Sequence, residues 1–249
     1  MVDSKKPRYP LPKVIITAST VRNGVTLQAS AGRYLEVVGE QPPLYIPRIE
    51  AAPVINGELN DSAWQREPDV PMLGRMDMGR KIEPSTSVWA AYDEEKLYVA
   101  FRCIEPDTGS LVLNAVERDD NLWEDDSVEI LFDPHGESKT YYHIIVNAAG
   151  VIYDGRGFDK SFDIEGLKVA ANIYDDNWTA EIAIPWRSLG IEVMPVGSTM
   201  LFARSRHVTG SDEIFQFPLS PGGNHQPGYF AKLTFGGPGG AHTMPANDR

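Results

Sequence analysis

From Pro53 onward the chain is written almost wholly in short runs that alternate apolar with polar residues, broken by Gly, Asp and Asn turns. Period-two alternation sends successive side chains to opposite faces of a strand, so each run must lay one face on a core. The pattern predicts strands over Thr86–Tyr92, Lys96–Cys103, Ser127–Asp133, Tyr141–Asn147, Lys168–Tyr174, Trp178–Ile184, Met200–Arg206 and Tyr229–Phe235. AYDEEKLY and IYDDNWT each put Asp and other polar residues between two runs, which is hairpin chemistry. Helical signal is confined to Asp61–Arg66 and Trp186–Leu189, the second stopped by Gly190. The expected fold class is all-β: a two-sheet antiparallel β-sandwich, jelly-roll-like, with very little helix.

The same pattern divides the chain. KVIITAST, VTLQAS and YLEVV, before Val38, are β-like and separated by Asn-Gly and Ala-Gly turn signals. QPPLYIPRIEAAP then reads as a connector. The expectation is an N-terminal extension over residues 1–45, either extra strands or the remnant of a preceding module. A sandwich follows over 46–236, and a flexible C-terminal tail over 237–249.

Composition removes several function classes. The 249 residues are 42% hydrophobic, enough to build one large all-β core. The net charge of −12 disfavours nucleic acid, whose phosphates need clustered Lys and Arg. Carboxylates in such number could hold a hard cation such as calcium. No apolar run is long enough for membrane insertion, and MVDSKKPRYPLP lacks the apolar stretch of a signal peptide. Either the protein is not secreted, or the chain is a mature or excised module. Cys103, the single cysteine, alternates with Leu97, Val99 and Phe101 and reads as a small buried hydrophobe. GxSxG, HExxH, P-loop and CxxC motifs are all absent, and no carboxylate pair can be set at glycosidase spacing. The expected protein is not an enzyme.

Alternation also sorts the polar residues. Val128, Ile130 and Phe132 share one face of their strand and leave Glu129 on the other; the neighbouring runs leave Tyr98, Arg102, His143 and Asn147 outward in the same way. If these strands adjoin, the outer face joins aromatic rings to planar polar groups that pair well with sugar hydroxyls; a solvated sheet face is the plain alternative. Trp123 precedes an acidic cluster and the strand of Glu129, where an indole could stack on a pyranose. Trp64, Trp178 and Trp186 sit among apolar residues as core tryptophans do, whereas Trp89 has outward parity.

Four ordered blocks carry a resemblance: PVINGELNDSAW, VWAAYDEEKLYVAFRCIEPD, WEDDSVEILFDP and WTAEIAIPWRSLG. Together they resemble the family 9 carbohydrate-binding modules over residues 53 to 235. The resemblance implies a β-sandwich that binds sugars without catalysis, often at a chain end, in an extracellular, cell-surface or periplasmic setting. Trp123 matches the family's first stacking tryptophan and Glu129 its sugar-binding glutamate, with Asn147 a weaker match. The second stacking tryptophan is missing: GGNHQPGYF stands in its region, so that Asn224 or His225 takes its place, and an earlier tryptophan appears as Phe217. His225 or Tyr229 could supply a substitute face. The resemblance also implies structural calcium, with Asp125 and Asp126 as candidate ligands among Asp119, Asp120, Glu124 and Asp133. Related sandwiches bind haem, and Met72, Met76 or Met78 could serve as an axial ligand under that alternative. A scaffold domain of a larger polysaccharide-processing or surface protein, its sugar site degenerate, is the third reading.

Overall fold

The computed structural model describes the side chains of residues 44–69, 85–209, 214–218 and 224–237; outside these ranges it describes only the backbone of the strands named below. The haem candidates Met72, Met76 and Met78 lie outside the described residues.

The chain is mostly β. Strands β1 (Arg8–Pro10) and β4 (Glu36–Val38) pair with each other, as do β2 (Val14–Arg22) and β3 (Val25–Arg33). The main sheet has twelve strands: β5 (Leu44–Arg48), β6 (Leu73–Gly74), β7 (Thr86–Tyr92), β8 (Lys96–Ile104), β9 (Ser127–Asp133), β10 (Tyr142–Asn147), β11 (Ile152–Arg156), β12 (Lys168–Ile173), β13 (Asn177–Pro185), β14 (Thr199–Val208), β15 (Glu213–Phe217) and β16 (Ala231–Pro238). Their order is β11-β10-β9-β14-β16-β5-β7-β8-β13-β12, with β15 on β14 and β6 on β15. Among the described residues the only helical elements are short 3-10 turns, including Ser62–Trp64, Leu122–Glu124, Trp186–Leu189 and Pro227–Tyr229. Gly190 ends the third of these with φ 73°, a left-handed backbone that suits glycine.

The pairing does not divide these strands into two separate sheets, and it is not wholly antiparallel. β5 is parallel to both β16 and β7 and joins two arms into one path, although it meets β7 only at Arg48↔Tyr92. In sequence this segment reads as a connector. Pro42, Pro43 and Pro47 explain why: proline lacks the N–H of a sheet ladder, and few ladder bonds are made on the β7 side.

Both arms contribute to one core. Val88, Val99, Phe101, Cys103 and Ile182 come from β7, β8 and β13; Val128, Ile130, Phe132, Ile144 and Phe202 come from β9, β10 and β14. Burial of each large side chain contributes about 1.5–3 kcal/mol. On the outer face of β7, β8 and β13 a second cluster forms from Trp89, Ala91, Tyr98, Ala100 and Ala183, covered by Leu59, Ala63 and Trp64.

Buried or turn carboxylates fasten the loops to this frame. Glu181 on β13 accepts N–H bonds from Asn56 (2.9 Å), Gly57 (2.7 Å) and the Trp64 indole (2.7 Å), docking the INGELNDSAW segment. Gly57 has φ 80°, and a Cβ there would lie 2.9 Å from the Asn172 amide, so the turn requires glycine. Asp93 accepts from Glu95 N, Lys96 N and the Tyr98 hydroxyl, closing the β7–β8 hairpin. Asp133 accepts from the backbone of His135, Gly136 and Ser138. These three carboxylates are therefore structural.

Candidate functional site

Glu129 is the centre of the polar cluster on the β9 arm. Register places Ile145 of β10 on one side of it and Ser205 of β14 on the other, with Tyr153 of β11 beyond Ile145. His143 on β10 and His207 on β14 share this outer face, each two residues from a direct neighbour of Glu129. The result is a carboxylate ringed by side-chain donors. His143 Nε2 and the Asn224 amide contact it closely, the Ser205 hydroxyl donates to Oε2, and His207 Nε2 lies 3.3 Å from Oε2. His225 Nε2 stands 3.8 Å from Oε1, held by a 2.8 Å bond between its Nδ1 and the Tyr141 hydroxyl.

Glu129 points outward by parity but is only 2% exposed, because the 224–225 loop and neighbouring rings cover it. Burial alone would push its carboxyl up; the adjacent His143 and His207 imidazoles outweigh that and hold it well below the usual carboxylate range. Burial lowers His225, aided by the His143 imidazole, while the Glu129 charge opposes the change. Burial also pushes the Tyr141 hydroxyl up to about 12, with the Glu129 charge acting in the same direction.

Aromatic rings flank this floor. Trp123, in the turn Leu122–Glu124, is 47% exposed and meets Tyr153 edge-on at 6.2 Å. Tyr153 contacts His143 at 5.1 Å, His143 meets His225 edge-on at 4.8 Å, and Phe158 stacks on His225 at 4.8 Å and 26°. Phe158 is 79% exposed. Gly155 allows its loop to fold back: a Cβ at Gly155 would sit 2.8 Å from the Asp159 carbonyl oxygen, which accepts the Arg156 N–H. Two exposed rings, Trp123 and Phe158, thus connect through other rings to the groups around one carboxylate.

The sequence-predicted residues divide. Glu129, His143 and His225 come together, and Trp123 is linked to them through Tyr153. Arg102 does not: β8 and β9 are separated by β14, β16, β5 and β7 in the sheet order, so their outer faces do not adjoin. Its guanidinium lies 5.8 Å over Trp89, beside a cavity of about 370 Å³ that Leu59, Trp64 and Arg66 also line. Tyr98, on the same strand, belongs to the second cluster. Asn147 has the expected parity but is fully buried; its amide donates to Asp125, and its oxygen accepts from Ala149 N and Val151 N. Tyr229 lies in the turn Pro227–Tyr229, and its side chain joins none of the cluster's contacts among the described residues. Phe217 is buried in the main core.

Asp125 and Asp126 are also buried. Asp125 accepts from Asn114 N, Ala115 N and the Asn147 amide; Asp126 accepts from Val112 N and Thr209 N. Their oxygens converge on N–H groups of the 112–115 segment and of Thr209 instead of on one another, which does not fit a calcium cage of six to eight oxygens. Ser205, His207 and Phe158 were missed in sequence. The first two alternate outward along β14, a signal that needed the β9–β14 register to acquire meaning; Phe158 lies outside every alternating run, between Arg156 and Asp159.

The family described as "Carbohydrate family 9 binding domain-like" matches residues 55–206. The chain is 30% identical over 139 residues to endo-1,4-beta-xylanase A of Thermotoga neapolitana, covering 55% of this chain and 12% of that protein. It is 25% identical over 155 residues to exoglucanase XynX of Acetivibrio thermocellus, covering 62% of this chain and 13% of that protein. The chain therefore spans only a small part of these relatives. Among solved structures it is similar to a family 9 carbohydrate-binding module from Caldicellulosiruptor kristjanssonii in complex with cellotriose, with TM-score 0.62 and 20% identity over 83% of this chain and 100% of that one. A glucose complex of a family 9 module from the same organism gives TM-score 0.62 and 19% identity over 79% and 96%. At such identity the structural likeness establishes the fold.

Proposed function

This chain belongs to the carbohydrate family 9 binding-domain-like family, and we propose that it is a non-catalytic module that holds a sugar over Glu129, between Trp123 and Phe158. The observation that carries this is the buried carboxylate whose partners are all side chains, bordered by two exposed rings. A pyranose presents an apolar C–H face to an aromatic ring and hydroxyls at its edge, so it suits ring and carboxylate together. Phe158 takes the part of the absent second tryptophan. The solved modules of this fold hold glucose and cellotriose, which supports mono- or oligosaccharides of that type as ligands.

The xylanase and exoglucanase relatives support a setting beside polysaccharide-degrading enzymes. Such polymers are met outside the cytoplasm, which favours an extracellular or cell-surface location. No helix among the described residues is long and apolar enough to cross a membrane. A two-layered sandwich is supported by the core that both arms share. At Asp125 and Asp126 the donor chemistry favours hydrogen-bonded struts over a calcium site.

Calorimetric titration with glucose, cellotriose and a panel of other sugars tests the site. Glu129→Gln is expected to weaken binding about ten- to hundredfold, the equivalent of one charge-assisted hydrogen bond at about 1.5–3 kcal/mol. Trp123→Ala and Phe158→Ala, both at exposed positions, should each weaken binding while leaving the melting temperature near that of the parent. Full-strength binding in all three variants would locate the sugar elsewhere, and a panel with no binder would leave the scaffold reading.

A further inference from the structure

The floor of the cluster has a second chemistry. Three imidazoles from different elements turn their Nε2 atoms toward one carboxylate: His143 from β10, His207 from β14 and His225 from the loop before β16. The ligand atoms of Glu129, His143 and His225 lie within 4.8 Å of one another. Hydrogen bonding to hydroxyls alone does not call for three rings with the same nitrogen inward.

We propose that Glu129, His143 and His225 bind a divalent transition-metal ion of the zinc type. A tetrahedral zinc site holds N and O ligands at about 2.0–2.2 Å, which puts them roughly 3.3 Å apart, so seating an ion requires the close His143–Glu129 pair to open by about 1 Å and His225 to draw in. His225 is oriented for it. A metal-bound imidazole normally donates its other N–H to a fixed partner; here Nδ1 is 2.8 Å from the Tyr141 hydroxyl, leaving Nε2 toward Glu129. His207 Nε2, 3.3 Å from the other carboxylate oxygen, is a fourth donor within reach. Mixed imidazole and carboxylate ligation suits zinc, nickel or copper and not calcium, which takes oxygen ligands in larger number. Three protein ligands leave a position for water or a ligand group.

The full chain, stripped with EDTA and dialysed, is titrated with zinc chloride in a calorimeter without sugar; the sugar titration is run separately without metal. Each reading can then fail alone. The expected result is saturable one-to-one zinc binding with Kd below about 10 μM and no comparable signal from calcium. His225→Ala and His143→Ala should each cost at least the ~10–100-fold that loss of an outer hydrogen-bond partner of a metal ligand costs, and Tyr141→Phe about tenfold. Cobalt should give the visible absorption of low-coordinate nitrogen and oxygen ligation and lose it in His225→Ala. His225 is half-buried in a loop, so that variant keeps the test valid if His143→Ala fails to fold. A flat zinc titration overturns the proposal, as does one-to-one binding that both histidine variants leave at full strength.

Discussion

Replacing Glu181 with alanine tests whether the acidic residues of the motifs are struts. The carboxylate is wholly buried on β13. One oxygen accepts Asn56 N–H and Gly57 N–H, and the other accepts the Trp64 indole N–H. Truncation leaves the Gly57 and Trp64 donors buried without an acceptor, at about 1–3 kcal/mol each. With Asn56 partly compensated by water, the loss is about 4 kcal/mol. For a domain of this size 1 kcal/mol moves the melting temperature by about 2–4 °C, so a fall of about 8–16 °C is expected by calorimetry. Glu181→Gln should fall between parent and alanine: its amide oxygen can still serve the two backbone donors, but its NH2 then faces the indole N–H. Below the melting transition both variants should bind sugar like the parent, because β13 lies on the other arm from Glu129. A drop of less than about 2 °C for Glu181→Ala would show that water replaces the carboxylate at no cost and would refute the strut argument.

Two further outcomes follow from the same burial. Burial pushes the Cys103 thiol up to about 12 despite the lowering influence of Arg206, so native protein should not react with a thiol-specific disulfide reagent at pH 8, whereas urea-unfolded protein should react fully; fast labelling of the native state would contradict the packing of β8. With Asp125 and Asp126 engaged by backbone and amide donors, protein stripped with EDTA and dialysed should melt at the same temperature with and without excess calcium, and a calcium-dependent rise would identify a site that binds only the folded state.

How much of the fold is legible in the sequence depends on how far apart in the chain the interacting residues lie. Alternation within a strand is local, so β7, β8, β9 and β13 were legible almost to their ends, as was the inward face of Val128, Ile130 and Phe132. Trp123 and Glu129 stand in one contiguous block, and Trp123 reaches the groups around Glu129 only through Tyr153 and His143. Inference failed where it needed to know which strands adjoin. Arg102 and Glu129 have the same parity, yet four strands separate them. Ser205 and His207 reach Glu129 only through the β9–β14 register. β5 was hidden by its prolines, and Phe158 by a turn whose conformation depends on the close approach permitted at Gly155.

Parity and burial cannot by themselves separate a working carboxylate from a structural one, since Glu129, Asp125 and Glu181 are all buried on or beside strands. The nature of the donors does separate them. Asp125, Asp126 and Glu181 accept mainly from backbone N–H groups. Such donors are fixed by the chain, and a ligand could displace them only by unfolding a loop. Every hydrogen bond to the Glu129 carboxylate among the described residues comes instead from a side chain: His143, Ser205, His207 or Asn224. A side chain can rotate about χ1 and yield its place to an incoming hydroxyl, and Asn224 is only partly buried, in the loop over the carboxylate. Exchange of a donor for a ligand hydroxyl keeps the carboxylate satisfied throughout, which makes binding possible at a group that would be costly to leave bare. Of these acidic residues, Glu129 is therefore the one whose surroundings permit a ligand.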